Sequence, residues 1–436
     1  MGWFSRGKNV LTVGSVHLDT IALSRSADQD TDGDTEVGSI IHSVGGSAFN
    51  IAANLAGHRK GNDVIDGVAV YSILPQHSVL TEIIKYKSAA TGVNLKYLRL
   101  YKEFHQRRVR GGGYVGLLDE KQRLTRKAVV DAAMHEADIF ADASEAAVLA
   151  GAIGWADILV LDADLATSTV NRMAEHARGH DKPLFMSIGS TQAGLRSWLH
   201  SSPTNTATCL SGRLRVMREL LAKLKVPDAE IEAFRAFVED GDQNATFDVA
   251  RICQLLRTKY LVCSNVRESR GFALLASTER PYKCFFDTPE DVRSRVQHGN
   301  SAGVVDAALA GFIQSYADLL QQGHGGEGTS LVNDETRSIF RNNILDFVEP
   351  VSESEGATPG SVISFEEQAS EQSRLAKLWR LTKIAFDVLP VFRYILSIAA
   401  AIIALWLIDV ALDVAKYFGF TLNLPEQHWI RMILRR

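Results

Sequence analysis

Gly299 to Phe312 reads GNSAGVVDAALAGF, and the interpretation of the chain turns on this stretch. Asn300 and Ser301 are good helix caps, Gly303 sits where backbone N–H groups crowd together, and the alanine-rich run that follows packs as a helix. Asp306 falls in the first turn or two, where the helix dipole favours a carboxylate. Amides converging at a helix start form an anion site, and a carboxylate beside them can take a proton from an attacking hydroxyl. Those are the parts needed to move a phosphoryl group to an alcohol. A glycine and an aspartate at a helix start also occur for purely structural reasons, so the motif needs company.

Two stretches near the other end of the chain supply it. Val44 to Ala56 reads VGGSAFNIAANLA, a double glycine opening an alanine-rich helix with Asn50 in its first turns. Gly45 and Gly46 allow either close approach of the backbone to a ligand or tight packing of a helix on a strand, and Asn50 offers both a donor and an acceptor. Asn9 to Ile21 reads NVLTVGSVHLDTI, in which His17 and Asp19 alternate with Val16 and Leu18 as in a half-buried strand. Further on, ADILVL (156–161) is a buried strand, residues 165–180 form an amphipathic helix, and Pro183–Ile188 is a second apolar strand. This alternation predicts a mostly parallel sheet with helices on both faces, whose ligands bind beyond the carboxyl ends of the strands.

Together the three stretches resemble the PfkB carbohydrate kinase family, which includes ribokinase, adenosine kinase and pseudouridine kinase, over about residues 9–320. The resemblance implies an α/β ribokinase-like sandwich: a mostly parallel central sheet, helices on both faces and a small β lid from about 24–44 and 96–124. A C-terminal helical tail is added. It also implies transfer of the ATP γ-phosphate, with Mg²⁺, to a hydroxyl of a sugar or nucleoside. Asp306 would then be the base, with Gly303, Val304 and Val305 as the anion hole. Asp19, Gly45, Gly46 and Asn50 would hold the substrate, and Asn300 and Gly271 would lie on the nucleotide side.

The nucleotide side departs from the family pattern. Where the family has an Asn-x-x-Glu helix that organises magnesium, the chain has LSGRLRVMREL, with Arg213 and Val216 in those places. The stretch VCSNVRESRG keeps Gly271 of a glycine-rich turn, and NSAGVVD (300–306) carries Asn300 for a carboxylate and Val305 for a glycine. A β-branched Val305 would be strained by about 1–2 kcal/mol if its position required positive φ. No metal ligand set stands out. Arg107, Arg108 and Arg110 flank the glycines at 111–113 and read as solvated lid arginines.

Composition fits an ordinary globular protein: 436 residues, 46% apolar and 22% charged, enough for a sizeable core. A net charge of −4 gives no footing for nucleic acid as the main partner. Cys209, Cys253, Cys263 and Cys284 lack metal spacing and read as free thiols. The expected organisation is a kinase core over 1–325, a connecting helix over 326–348 and a Ser/Glu/Gly/Pro-rich linker over 349–372. Residues 373–436 follow as a basic amphipathic helix and a membrane segment. Arg374, Lys377, Arg380 and Lys383 interleave with Leu375, Leu378 and Trp379, as on an anionic membrane surface. The segment at about 388–410 is long enough for a bilayer of about 30 Å, and burial in a homo-oligomer is the rival reading. More Lys and Arg precede the uncharged run than follow it, which predicts a single pass with the core in the cytoplasm. Two functional readings stand: a membrane-tethered small-molecule kinase, or a pseudokinase that binds a sugar or nucleoside and needs no cofactor.

Overall fold

The computed structural model describes residues 7–24, 38–58, 64–104 except 77, 107–109, 112–118, 124–130, 138–264 except 191 and 193, 271–277, 281–298, 303–324, 331–353 and 362–363. The chain divides into two units, 1–363 and 364–436, and the second lies outside the described residues.

The fold is α/β. A nine-stranded sheet carries β1 (Lys8–Val13), β4 (Ile65–Pro75), β5 (Leu98–Tyr101), β10 (Ile158–Asp162), β11 (Leu184–Ile188), β12 (Ala207–Arg213), β13 (Thr258–Ser264), β14 (Gly271–Ala276) and β15 (Tyr282–Asp287). Its order is β15-β14-β13-β12-β11-β10-β1-β4-β5. From β5 across to β13 every pairing is parallel, and β14 and β15 close one edge as an antiparallel meander. The sequences explain the arrangement: ILVLD and LFMSI are buried at every position, as parallel strands covered on both faces must be.

Helices cover both faces, as expected. On one face lie α1 (Ser47–His58), α9 (Val304–Gln321) and α10 (Arg337–Glu353), packed on Val160, Phe185, Cys209 and Val262. On the other lie α3 (Ala143–Trp155), α4 (Thr167–Gly179), α5 (Leu214–Lys223), α6 (Asp228–Asp240) and α7 (Val249–Leu255), over Leu161, Met186, Leu210 and Leu261. Two more helices, α2 (Val79–Thr91) and α8 (Glu290–His298), complete the chain order. After β1 the chain runs one way to β4 and β5 and later the other way to β10–β13. The switch point therefore lies between β1 and β10.

A second sheet is built from β2 (His17–Ser24), β3 (Gly38–Gly45), β8 (Gly112–Leu118), β9 (Leu124–Val130) and β16 (Val362–Ile363) in the order β16-β3-β2-β8-β9; β3 and β8 fall within the segments expected as a lid, whereas β2 and β9 lie almost wholly outside them. A two-residue ribbon, β6 (Glu103–Phe104) with β7 (Arg107–Arg108), holds two of the arginines expected on the lid, while Arg110 lies outside the described residues.

The C-terminal boundaries differ from expectation. The helix expected to connect is part of the core: Phe340 stacks on Phe312 at 4.9 Å, and Phe347, Val348 and Val351 are buried. It runs on to Glu353, past the expected linker start, because that apolar face continues through Val351. The expected linker also contributes β16 (Val362–Ile363), which pairs with β3. Among the described residues no helix is long and apolar enough to cross a membrane. The expected membrane segment at about 388–410 lies outside them.

Candidate active site

Parallel strands end in polar residues on the face that carries α1 and α9. Asp162 of β10 is in register with Ser187 of β11, and Ser187 with Ser211 of β12. Upstream on that face the same strands are apolar (Val160, Phe185, Cys209), so their character changes at the carboxyl edge, the edge at which open α/β sheets bind ligands.

Asp306 sits above this row, in the first turn of α9 and 7% exposed. Asn50 Nδ2 donates to its Oδ2 at 3.0 Å and Ser187 Oγ to its Oδ1 at 2.9 Å. Ser47 also hydrogen-bonds to it. Burial pushes the carboxyl above the usual carboxylate range, the bonds from Asn50 and Ser187 pull it back in part, and the charge of Asp162 adds to the rise. A carboxylate held in one orientation and made more basic is suited to accept a proton.

Gly303 is the N-cap of α9, with φ +81° and no side-chain cap. The expected caps Asn300 and Ser301 lie outside the described residues. The helix begins at Val304, so Val305 lies within its right-handed first turn. The strain expected of a β-branched residue there is thus absent. Val304 is buried in the core and Val305 half-buried.

The expected substrate residues converge from the lid and α1. Asp19 lies on β2 opposite Ser43 of β3, and its Oδ1 is 2.8 Å from His17 Nδ1. Burial lowers the affinity of His17 for a proton, but the hydrogen bond and charge of Asp19, with Asp162 and Asp164, outweigh it and leave the imidazole pKa raised. The two glycines face protein. A Cβ on Gly45 would stand 2.1 Å from Asp19 Oδ2, and one on Gly46 (φ +98°) 2.3 Å from the Ser15 carbonyl oxygen. Their smallness therefore lets the lid strand and α1 close on the β1–β2 turn, and through that contact it places Asp19 and Asn50. Asn50 Oδ1 is buried and has no protein partner among the described residues, so it is available to a ligand hydroxyl.

Gly271 opens β14, where a Cβ would meet the Phe286 carbonyl oxygen at 1.8 Å, a packing requirement of the β14–β15 meander. Arg213 ends β12 and is exposed, whereas Val216 is buried in the helical layer on the opposite face. A cation and an alkyl group do not make a divalent-ion site, and no group of three or more His, Cys, Asp or Glu among the described residues could hold a metal.

Three contributors were not among the expected site residues: Ser187, Asp162 and His17. Asp162 accepts from Ser15 Oγ at 2.8 Å and from the Asp164 amide at 3.0 Å, tying β10 to the β1–β2 turn across the switch point. A cleft of about 640 Å³ opens elsewhere, at the amino edge where β11, β12 and β13 begin. Its cations serve the fold: Lys182 Nζ donates to the Ile153 carbonyl at 2.6 Å and Arg257 to that of Ser201 at 3.1 Å.

Solved structures share this fold. The fold is that of the ribokinases. The Arabidopsis thaliana ribokinase complexed with ribose and ATP matches with TM-score 0.55 and 16% identity, over 81% of this chain and 96% of that one. Giardia lamblia ribokinase matches with TM-score 0.57 and 11% identity, over 84% and 99%. A Burkholderia thailandensis nucleoside kinase in complex with inosine matches with TM-score 0.52 and 14% identity, over 81% and 93%. No protein-family model and no curated protein matches the sequence.

Proposed function

We propose that the protein is a small-molecule kinase that transfers the γ-phosphoryl group of ATP to a hydroxyl of a sugar or nucleoside. The observation that carries this reading is Asp306, a buried carboxylate fixed by Asn50 and Ser187 in the first turn of a helix over the switch point of the sheet. The substrate hydroxyl oxygen attacks the γ-phosphorus, its proton passes to Asp306, and the bond to the ADP leaving oxygen breaks. The amides after Gly303 face the phosphoryl oxygens, and Asp19 and Asn50 Oδ1 accept from the other hydroxyls of the acceptor. Ribose, inosine and ATP in the fold relatives support the substrate class. Arg213, a cation, and Val216, an alkyl group buried on the opposite face, do not fit a divalent ion.

Tethering to a membrane through residues 373–436, with the core in the cytoplasm, forms part of the same proposal and rests on the pattern of basic and apolar residues. The test of the kinase reading is ADP release by the full chain with ATP and a panel of pentoses, hexoses and nucleosides, with ³¹P NMR of the product. ADP release that depends on one acceptor supports it. Ligand binding with no turnover for any acceptor rejects it in favour of a sensor.

A further inference from the structure

The amino end of α5 carries a cation. Arg213 occupies its N-cap with no side-chain cap bond, and no acid lies in the first turn, so a cation faces the positive end of a helix dipole. Nearby Arg215 has a partner, Glu219 at 3.2 Å, while Arg213 is exposed and has none among the described residues. Two residues before Arg213, and so on the same face of β12, Ser211 is 0% exposed and its Oγ has no hydrogen-bond partner among the described residues. That face is the one where Ser187, in register with Ser211, donates to Asp306 in the first turn of α9. The start of α9, at Gly303, also lacks a side-chain cap and therefore lies one strand away from a hydroxyl and a guanidinium that have no partner among the described residues.

The amino termini of α5 and α9, together with a buried hydroxyl and an arginine that have no partner among the described residues, share one unmet need, and an anion meets it. We propose that Arg213 and Ser211 bind the polyphosphate chain of the nucleotide directly, with Arg213 supplying the positive charge that a divalent ion would otherwise supply. This rests on the phosphotransfer reading for the identity of the ligand, and the chemistry required is that of a linear polyphosphate. A guanidinium fits two phosphate oxygens at once, a geometry that Arg213 offers and Val216 cannot.

The test is calorimetric titration of the full chain with ATP and with inorganic tripolyphosphate, each in excess EDTA and in excess Mg²⁺. Both probes are expected to bind in EDTA, with ATP affinity within about twofold of that in Mg²⁺. Arg213→Ala, at an exposed position, is expected to weaken binding in EDTA by about tenfold or more, and Arg215→Ala to leave it unchanged. Binding that needs Mg²⁺, or an Arg213→Ala protein that binds within about twofold of the parent, overturns the proposal. So does failure of tripolyphosphate to bind, even where acceptor-dependent ADP release upholds the kinase. Arg213-dependent tripolyphosphate binding in a protein that phosphorylates no acceptor keeps this site and removes the kinase.

Discussion

Asn50 Nδ2 donates to Asp306 Oδ2 at 3.0 Å, joining the first turns of two helices whose residues stand 256 apart in sequence. The bond makes the orientation of the candidate base depend on the same segment that carries Gly45 and Gly46. Removing it with Asn50→Leu leaves a buried carboxylate short of one charged hydrogen bond, worth about 1.5–3 kcal/mol. The expected outcome is a denaturant midpoint lowered in proportion, together with slower turnover. An unchanged midpoint would show that water replaces the amide at no cost.

Asp306→Asn separates chemistry from stability. The amide keeps the shape and cannot take the proton, so turnover should fall by about 10²–10⁴-fold. Stability should move the other way. Burial raises the carboxyl pKa in the folded state, so the folded protein holds its proton more tightly than the unfolded chain does. The ionised group therefore costs stability at neutral pH, and that cost vanishes as pH falls below the ordinary carboxylate range. Asp306→Asn should melt higher than the parent at neutral pH and alike at about pH 3–4, by thermal unfolding at both. A mutant less stable at neutral pH would contradict the burial argument.

Much of this was legible in the sequence. Apolar runs such as ILVL and LFM gave buried parallel strands, and the glycine–alanine segments gave the two helices that meet at Asn50 and Asp306. Ser187 and Asp162 were not legible, because a lone Ser or Asp ending a strand acquires meaning only through register, which sets Asp162 beside Ser187 across neighbouring strands. His17 was hidden differently: alternation showed that it was half-buried, but not that Asp162 and Asp164, far along the chain, would surround it. Val305 escapes the strain that a positive φ would impose for a local reason. The positive φ falls on Gly303, and the helix has already started when the chain reaches Val305.

The His17–Asp19 pair should give the protein a pH-dependent component of stability. The imidazole is held protonated more firmly in the folded state than in the unfolded chain, chiefly by Asp19 against the opposing effect of burial. Its contribution is complete below about pH 6.5, the ordinary histidine value, and is lost as pH rises through the raised folded value. His17→Gln should therefore flatten the stability–pH curve above that point, as read by urea unfolding from pH 5.5 to 9. A curve that keeps the parent's slope would place the titration elsewhere.

Gly46 and Gly57 form a matched pair. A Cβ at Gly46 meets the Ser15 carbonyl at 2.3 Å and requires φ +98°, whereas one at Gly57, within α1, meets nothing within 4 Å. Gly46→Ala should destabilise by about 1–2 kcal/mol or more from the backbone conformation alone. Gly57→Ala should stabilise by about 0.5–1 kcal/mol through helix propensity. Opposite shifts in melting temperature are the expected result, and a neutral Gly46→Ala would mean the β1–β2 turn yields easily.

The segment after α10 reaches back to the site. Val362 of β16 pairs with Ser43 of β3, and Ser43 pairs with Asp19 of β2, so the tail strand lies two strands from the substrate clamp in the same register. Ile363 pairs with His42 and His42 with Thr20, whose Oγ1 lies 3.1 Å from His42 Nδ1. Without β16, β3 would be the edge of the lid sheet, with unpaired amides and carbonyls along it. Val362→Pro disfavours this pairing, because proline is excluded from a paired strand interior. One lost ladder bond is worth about 1 kcal/mol, so hydrogen exchange at His42 and Ser43 should quicken about fivefold. If β3 positions Asp19, the KM for the acceptor should rise while kcat stays close to the parent's, because Asp306 rests on α9 and β11 outside the lid. Unaltered exchange at both amides would show that the lid edge holds without the tail. Altered exchange with an unaltered KM would show that Asp19 is set by the β2–β8 pairing, on the other side of its strand.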